Sequence, residues 1–412
     1  MMRRHRALWR NLGHWVEERL PVGKTLRVHT SEYYAPKNLN FWYFFGSLAL
    51  FVLINQLVTG IWLLMFYTPS ASSAFASIEY IMRDVHYGWL IRYLHSTGAS
   101  AFFIIIYLHV FRGMLYGSYQ KPRELLWILG VTLFVLLLAE AFCGYLLPWG
   151  QMSFWGAQVI TSLFSVVPFV GKHLVVWLRG DFNVSDVTLH RFFALHVAAI
   201  PLLMLAFVFF HLAALHQVGS NNPDGADIKK YKNIRGKPLD GVPFHPYFTI
   251  KDTFGLAVFL VIFLTVVFFF PEMKGYFLEP DNFQPANPLV TPEHIAPVWY
   301  MTPFYAILRA IPNKTAGVSA MAASIAVLFV IPWLDKSPVK SMRYRGWMSR
   351  SALGLFVISF MALGYLGLHE VTPLSQTLAQ LFTVIYFAFF LLMPWYTYFE
   401  KTKTPPDRIG KS

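Results

Sequence analysis

The sequence predicts an all-α integral membrane protein with eight transmembrane helices. Three observations carry this. Of the 412 residues 56% are hydrophobic and only 13% charged, against roughly 25% charged in an average soluble protein. Mean hydropathy is +0.47. Uncharged runs near the length a bilayer demands recur along the whole chain.

Those runs place the spans at residues 41–66, 89–115, 125–147, 191–216, 252–270, 318–334, 351–368 and 378–398. Eight spans put both termini on one side, and the charges test that arrangement. Residues 1–40, 117–124, 217–251, 335–350 and the tail hold 25 of the 34 Lys and Arg, whereas 67–88, 148–190 and 271–317 hold six. The bias predicts cytoplasmic termini and accounts for the net charge of +13 without a nucleic-acid partner.

The predicted organisation follows from this map. Residues 1–40 are a cytoplasmic amphipathic segment in which Trp9, Leu12, Val16 and Leu20 recur at helical spacing, suited to lying on the membrane surface. No signal peptide is visible, because this stretch is Arg-rich and lacks an apolar core. Residues 41–216 form a four-helix bundle that includes an amphipathic outer loop, 148–190. Residues 217–251 are a cytoplasmic loop, 252–400 a second four-helix region with a Pro-rich outer loop at 271–317, and 401–412 a cytoplasmic tail. The single cysteine, Cys143, excludes an intramolecular disulfide, a cysteine-ligated iron–sulfur cluster and a covalently attached haem.

Four of the 14 histidines fall inside apolar spans, where an unpartnered ring is costly. His95 and His109 in the second span are 14 residues apart, about 1400° or four turns less 40°, so both rings leave one helix face about 21 Å apart. His196 and His211 in the fourth span are 15 apart, about four turns plus 60°. Facing each other, the two helices offer two His pairs, each able to ligate one iron from both sides. In the first span Gly46 and Gly60 are 14 apart, and in the third so are Gly130 and Gly144, which leaves backbone without Cβ where a flat macrocycle would lie. A lone membrane histidine serves packing or proton relay, and a lone glycine pair serves helix contact. Four of each on nearly one period predict two non-covalent haems within the first four spans. Both axial positions would be filled, so the chemistry is electron transfer. Arg92 and Arg112 sit beyond His95 and His109 towards the two surfaces, where they meet haem propionates or form ion pairs within the protein.

The motifs GSLAL from Gly46, QLVTG from Gln56, RYLHSTGAS from Arg92, HVFRGMLYGSY from His109, GYLLPWGQMSFWGAQVIT from Gly144, LHRFFALH from Leu189, HQVGSNNPDG from His216, IKDTFG from Ile250 and PFYAILRAIPNKTAGV from Pro303 together resemble cytochrome b of the respiratory cytochrome bc complex, bacterial type. The resemblance runs from about residue 30 to the last span. It implies the core subunit of a quinol–cytochrome c oxidoreductase in the bacterial inner membrane, inactive alone, with ubiquinone and ubiquinol as substrates. Partners would be a Rieske iron–sulfur protein and a membrane-anchored c-type cytochrome, in a homodimeric complex. It further implies that His95 and His196 hold the outer, low-potential haem and His109 and His211 the inner one. Gln56, Ser118 and Trp127 match cofactor-supporting positions, the last two at the inner propionate. Tyr145, Pro148, Trp149, Gly156, Pro297, Val298, Trp299, Tyr300 and Phe304 match the outer quinol pocket. His216, Asn221, Lys251 and Asp252 match the inner quinone site.

Three departures from the family pattern stand out. Val298 replaces the glutamate of the usual Pro-Glu-Trp-Tyr motif, a residue given a role in accepting a quinol proton. Glu293 or Glu140, or bound water, would have to take over. The 15-residue His spacing in the fourth span differs from the mitochondrial 14, and Pro201 offers a local kink. His190 stands where a small polar residue is usual, at the surface or near a proton path. Two rivals share parts of the pattern: a transporter, which needs no common His/Gly period, and another di-haem anchor subunit, which would lack the GYLLPWGQMSFWGA and PVWY segments.

Overall fold

The computed structural model describes residues 14–410. Trp9 and Leu12 of the predicted surface helix lie outside them. Residues 14–19 are helical, Leu20 is exposed, and a second short helix follows at Val22–His29.

Among the described residues eight helices are long and apolar enough to cross a membrane: Phe41–Leu64, Gly88–Leu115, Glu124–Leu146, Asp186–Val218, Phe244–Phe269, Lys314–Leu334, Trp347–Leu368 and Pro373–Leu391. They are numbered first to eighth span below. The end carrying most of the Lys and Arg is the basic end, and the other is the far end. The largest differences from the expected bounds are in the fourth and fifth spans, which start five and eight residues early, and in the eighth, which runs from Pro373 and breaks near Leu392 before a short helix, Met393–Phe399. Capping sets several starts. Thr188 Oγ1 accepts from the Ser185 N–H at the fourth span, Thr372 and Ser375 form a capping box at the eighth, and the Asn313 side chain accepts from the Ala316 N–H at the sixth. Side chains such as Val58, Ile61, Leu202, Phe209 and Val261 face outward from the spans and are exposed, as helices solvated by lipid require.

The first span packs on the second, and the third on the fourth. The fifth packs against the first and second, and the sixth against the third. The buried helix Thr302–Ala310 fills the space among the last three spans. On the far side, helices Gln151–Leu163 and Gly171–Arg179 form a hairpin. Arg179, buried, locks it by donating to Thr161 Oγ1 at 2.8 Å, Ser162 Oγ at 2.7 Å and the carbonyls of Gln158 and Phe182. At the basic end a short antiparallel pair joins Tyr34–Pro36 to Gly241–Pro243, with Ala35 opposite Val242.

Candidate functional site: two histidine pairs and the pocket beside one of them

The second and fourth spans present their histidines to each other. The ring centroids of His95 and His196 are 6.1 Å apart with planes at 87°, and those of His109 and His211 are 6.5 Å apart at 60°. Two imidazoles bound through nitrogen to one metal from opposite sides, with bonds of about 2 Å, put their centroids about 6 Å apart. Among the described residues no three His, Cys, Asp or Glu side chains gather around a common point. The remaining ligands at each pair would therefore come from a planar cofactor.

A π-turn at Leu195–Ala199 brings the fourth span into register. The Ile200 N–H bonds to the Leu195 carbonyl, five residues back. Pro201 has no N–H to continue the α pattern, and the wider turn absorbs one residue without advancing the helix face. The 15-residue interval between His196 and His211 thus spans the same rotation as the 14 between His95 and His109.

Each of the four glycines lies against one of the four rings. A Cβ on Gly46 would sit 3.4 Å from His109 Cε1, on Gly60 3.2 Å from His95 Cε1, and on Gly130 3.1 Å from His211 Cε1, while on Gly144 it would overlap the His196 ring. The shared period therefore reflects contact between neighbouring helices, and the flat space beside each ring depends on it.

Hydrogen bonds fix the far-end rings. Thr59 Oγ1 donates to the Asn55 carbonyl and lies 2.9 Å from His95 Nδ1, which then donates to it. His196 Nδ1 lies 3.0 Å from both the Glu140 carbonyl and the Glu140 carboxylate. With Nδ1 protonated on both rings, both Nε2 lone pairs are left for a metal. Gln56 Nε2 donates to the His95 carbonyl at 3.0 Å, so the first span also pins the backbone here.

At the basic end Arg112 Nη2 is 3.5 Å from His109 Nδ1, and its guanidinium lies 4.8 Å over the Tyr43 ring. Its Nε is buried without a hydrogen-bond partner. Neither Arg92 nor Arg112 is in an ion pair among the described residues. A buried guanidinium with an unmatched N–H fits an anionic group brought by a cofactor. Trp127 gives its indole N–H to the Leu328 carbonyl at 2.7 Å and sets its ring against Gly113, so it offers a wall and no free donor. Ser118 Oγ accepts from Asn221 Nδ2 at 3.2 Å, joining residues expected at two different sites.

One cavity runs from the far-end histidine pair towards the loops. Its walls bring together His95, His196, Gly60, Gly144, Glu140 and Arg92 with Tyr145, Pro148, Val298 and Tyr300. Tyr300 is buried and stacks on Phe103 at 3.8 Å. The other expected pocket residues stand behind this lining. Gly156 approaches the Tyr145 ring, Trp149 and Phe304 pack in the core, Pro297 precedes the lining Val298, and Trp299 donates to Ser100 Oγ at 3.1 Å. Glu293 is exposed, outside the lining, and Glu140 is committed to His196 through one carboxylate oxygen. His190 is exposed and pairs with Asp186 at 3.3 Å. Sequence reading missed Phe277, Leu278 and Asn282 in the lining, and behind it Glu279, whose Oε2 accepts from the Tyr145 hydroxyl at 2.8 Å.

At the basic end His216 packs against His29 and Tyr33, with centroids 5.0 and 4.9 Å away, and its Nδ1 bonds within its own helix. Asp252 accepts from Ser47 Oγ at 2.8 Å, and Lys251 lies 4.5 Å over the Tyr247 ring. Asn221 is buried and donates to the Tyr116 carbonyl at 2.7 Å.

Two facing histidine pairs stacked through an eight-span helical bundle, with a deep pocket beside one of them, define a multi-pass membrane electron-transfer protein. The family model "Cytochrome b/b6/petB" matches residues 30–219, and "Cytochrome b(C-terminal)/b6/petD" matches 285–387. The chain is 60% identical to cytochrome b of Allochromatium vinosum over 96% of its length and 97% of that protein, and 51% identical to cytochrome b of Rhodospirillum rubrum over 96% and 95%. It superimposes on a chain of a hyperthermophilic respiratory Complex III with a TM-score of 0.87 at 41% identity, covering 94% of this chain and 99% of that one. The chain belongs to the cytochrome b family. It is the core electron-transfer subunit of a Complex III-type quinol–cytochrome c oxidoreductase, with haem b as the family's cofactor.

Proposed function

We propose that this subunit carries electrons between two quinone sites through two b haems, one held by His95 and His196 and the other by His109 and His211. The observation that supports this most strongly is the matched set of four rings and four glycines. When bound, the haems supply one-electron redox steps across the membrane, and the residues around them do the rest. Thr59 and Glu140 hold the far-end imidazoles with Nε2 free, and Arg112 and Arg92 neutralise carboxylates near the two surfaces.

The pocket lined by Tyr145, Pro148, Val298 and Tyr300 is the quinol oxidation site, on the outer face of the bacterial inner membrane, and the termini are cytoplasmic. The aromatic walls grip a planar ring, and the shared cavity keeps it beside the first haem. At the inner site His216 and Asp252, near a polar surface, exchange protons with bound quinone, while Lys251 and Asn221 support them. Ubiquinol fits as substrate. A Rieske protein would take the other electron from the outer pocket, and a c-type cytochrome would pass it on, in a homodimeric complex. One relative, from Bradyrhizobium diazoefficiens and named cytochrome b/c1, is 46% identical over 97% of this chain, which spans 56% of it.

The test is turnover of quinol and cytochrome c by the purified complex. Val298→Trp, which fills the outer pocket, should abolish turnover while leaving both haem spectra intact. Unchanged turnover would remove the quinol site from this pocket.

A further inference from the structure

Val298 is buried beside Tyr300 and carries no proton acceptor, yet quinol oxidation releases two protons with its two electrons. Glu140 in the pocket wall is bonded to His196 through one oxygen, and a second carboxylate stands behind the wall, brought there from another part of the chain. Residues 279–286 are stitched onto the turn after the third span: Gln151 N–H bonds to the Gln284 carbonyl at 2.9 Å, Ser153 N–H to Asn282 Oδ1 at 3.0 Å, and Ala286 N–H to the Trp149 carbonyl at 3.0 Å. A Cβ on Gly150 would overlap Asn282, so the two segments meet backbone to backbone. This stitching sets Glu279 behind Tyr145, whose hydroxyl donates to Glu279 Oε2 at 2.8 Å.

We propose that Glu279, acting through the Tyr145 hydroxyl, is the proton acceptor of the outer pocket, in the role that Val298 leaves vacant. This rests on the reading of the pocket as the quinol site. As one quinol O–H bond breaks, its proton passes to Tyr145 Oη while Tyr145 passes its own proton to Glu279 Oε2. Tyr145 ends neutral and Glu279 ends as the carboxylic acid. The electrons leave by the established oxidation, and the second proton is not assigned to Glu279. Glu279 is a half-buried residue of the far-end loop, and the acid releases its proton towards that end.

Three titratable groups face the carboxylate: Tyr145 from the third span, Asp281 from its own loop and Tyr300 from the turn after Val298. Burial pushes the Glu279 carboxyl up to about 7, with the Asp281 charge adding to the rise and the Tyr145 hydrogen bond opposing it. A base tuned near the working pH is efficient at both taking and releasing a proton. Its carboxylate is present above that value and lost below it, so turnover should rise with pH through about 7.

The experiment compares Glu279→Gln, Glu279→Asp and Tyr145→Phe in the purified complex by quinol–cytochrome c turnover against pH, with haem spectra as the folding control. Glu279→Gln should lose on the order of 10²-fold in turnover, as expected for removal of a general base, and should lose the limb near pH 7. Glu279→Asp should keep a limb at a shifted pH, and Tyr145→Phe should lose it with the carboxylate still present. Adding Val298→Glu to Glu279→Gln should restore turnover. A Glu279→Gln or Tyr145→Phe complex with wild-type turnover and an unchanged pH profile would overturn the proposal. If Val298→Trp abolishes turnover in the same preparation, that failure belongs to Glu279 alone and the pocket reading stands.

Discussion

The Glu140 carboxylate lies 3.0 Å from Nδ1 of His196. An anion behind an imidazole ligand raises its basicity and favours the more positive state of the metal, so Glu140 should hold the haem proposed at His95 and His196, here called the outer one, at low potential. Glu140→Gln should raise the midpoint of the outer component by on the order of 60 mV, a tenfold change in relative affinity for a one-electron couple, and leave the inner one in place. A redox titration of the α-band spectrum measures both together.

The glycine contacts predict selective loss of one cofactor. Gly144→Val should remove the outer b component, because a side chain there overlaps the His196 ring. Gly130→Val should remove the inner one, crowding His211 at 3.1 Å from its first carbon. Haem content per polypeptide should fall by half in each variant, read by pyridine haemochrome assay.

The histidine and glycine periods were legible because both sets lie on continuous helices, where spacing fixes direction. Spans were legible for the same reason, since hydropathy follows length. The π-turn was visible only as Pro201, whose missing N–H signals a disturbed ladder without saying whether the helix kinks or widens. Glu279 was not legible: it lies 134 residues from Tyr145, and backbone bonds between two irregular loops make them neighbours. Val298 gave notice that a carboxylate was missing from its usual place. Of the two carboxylates expected from the sequence, Glu293 is exposed outside the lining, while Glu140 does line the pocket, with one oxygen bonded to His196 and the other buried without a partner.

The register of the fourth span gives a deletion test. Removing Ala198 together with Pro201→Ala should convert the π-turn to α-helix and leave both His pairs facing, because the interval becomes 14 residues, matching the second span. Removing Val208 instead should turn His211 away by about 100° and cost the inner component. Optical spectra of the two deletion variants separate these outcomes.

Arg345 and Asp335 form an ion pair at 2.5 Å, both side chains almost fully buried, with Tyr119 and Gln120 also donating to Asp335. The cluster clamps the loop between the second and third spans to the loop after the sixth. Arg345→Met should destabilise the fold by about 3–5 kcal/mol, because it strands a buried carboxylate. The double variant with Asp335→Asn should recover part of that loss in thermal unfolding of the detergent-solubilised complex.

The two-haem circuit is tested most directly by a redox-titrated optical spectrum of the purified complex beside its His95→Leu and His211→Leu variants. The wild type should show two b-type components of different midpoint potential. His95→Leu should lose the lower one and His211→Leu the higher. A wild type with one component, or either variant retaining both, would contradict the assignment of the four histidines to two haems.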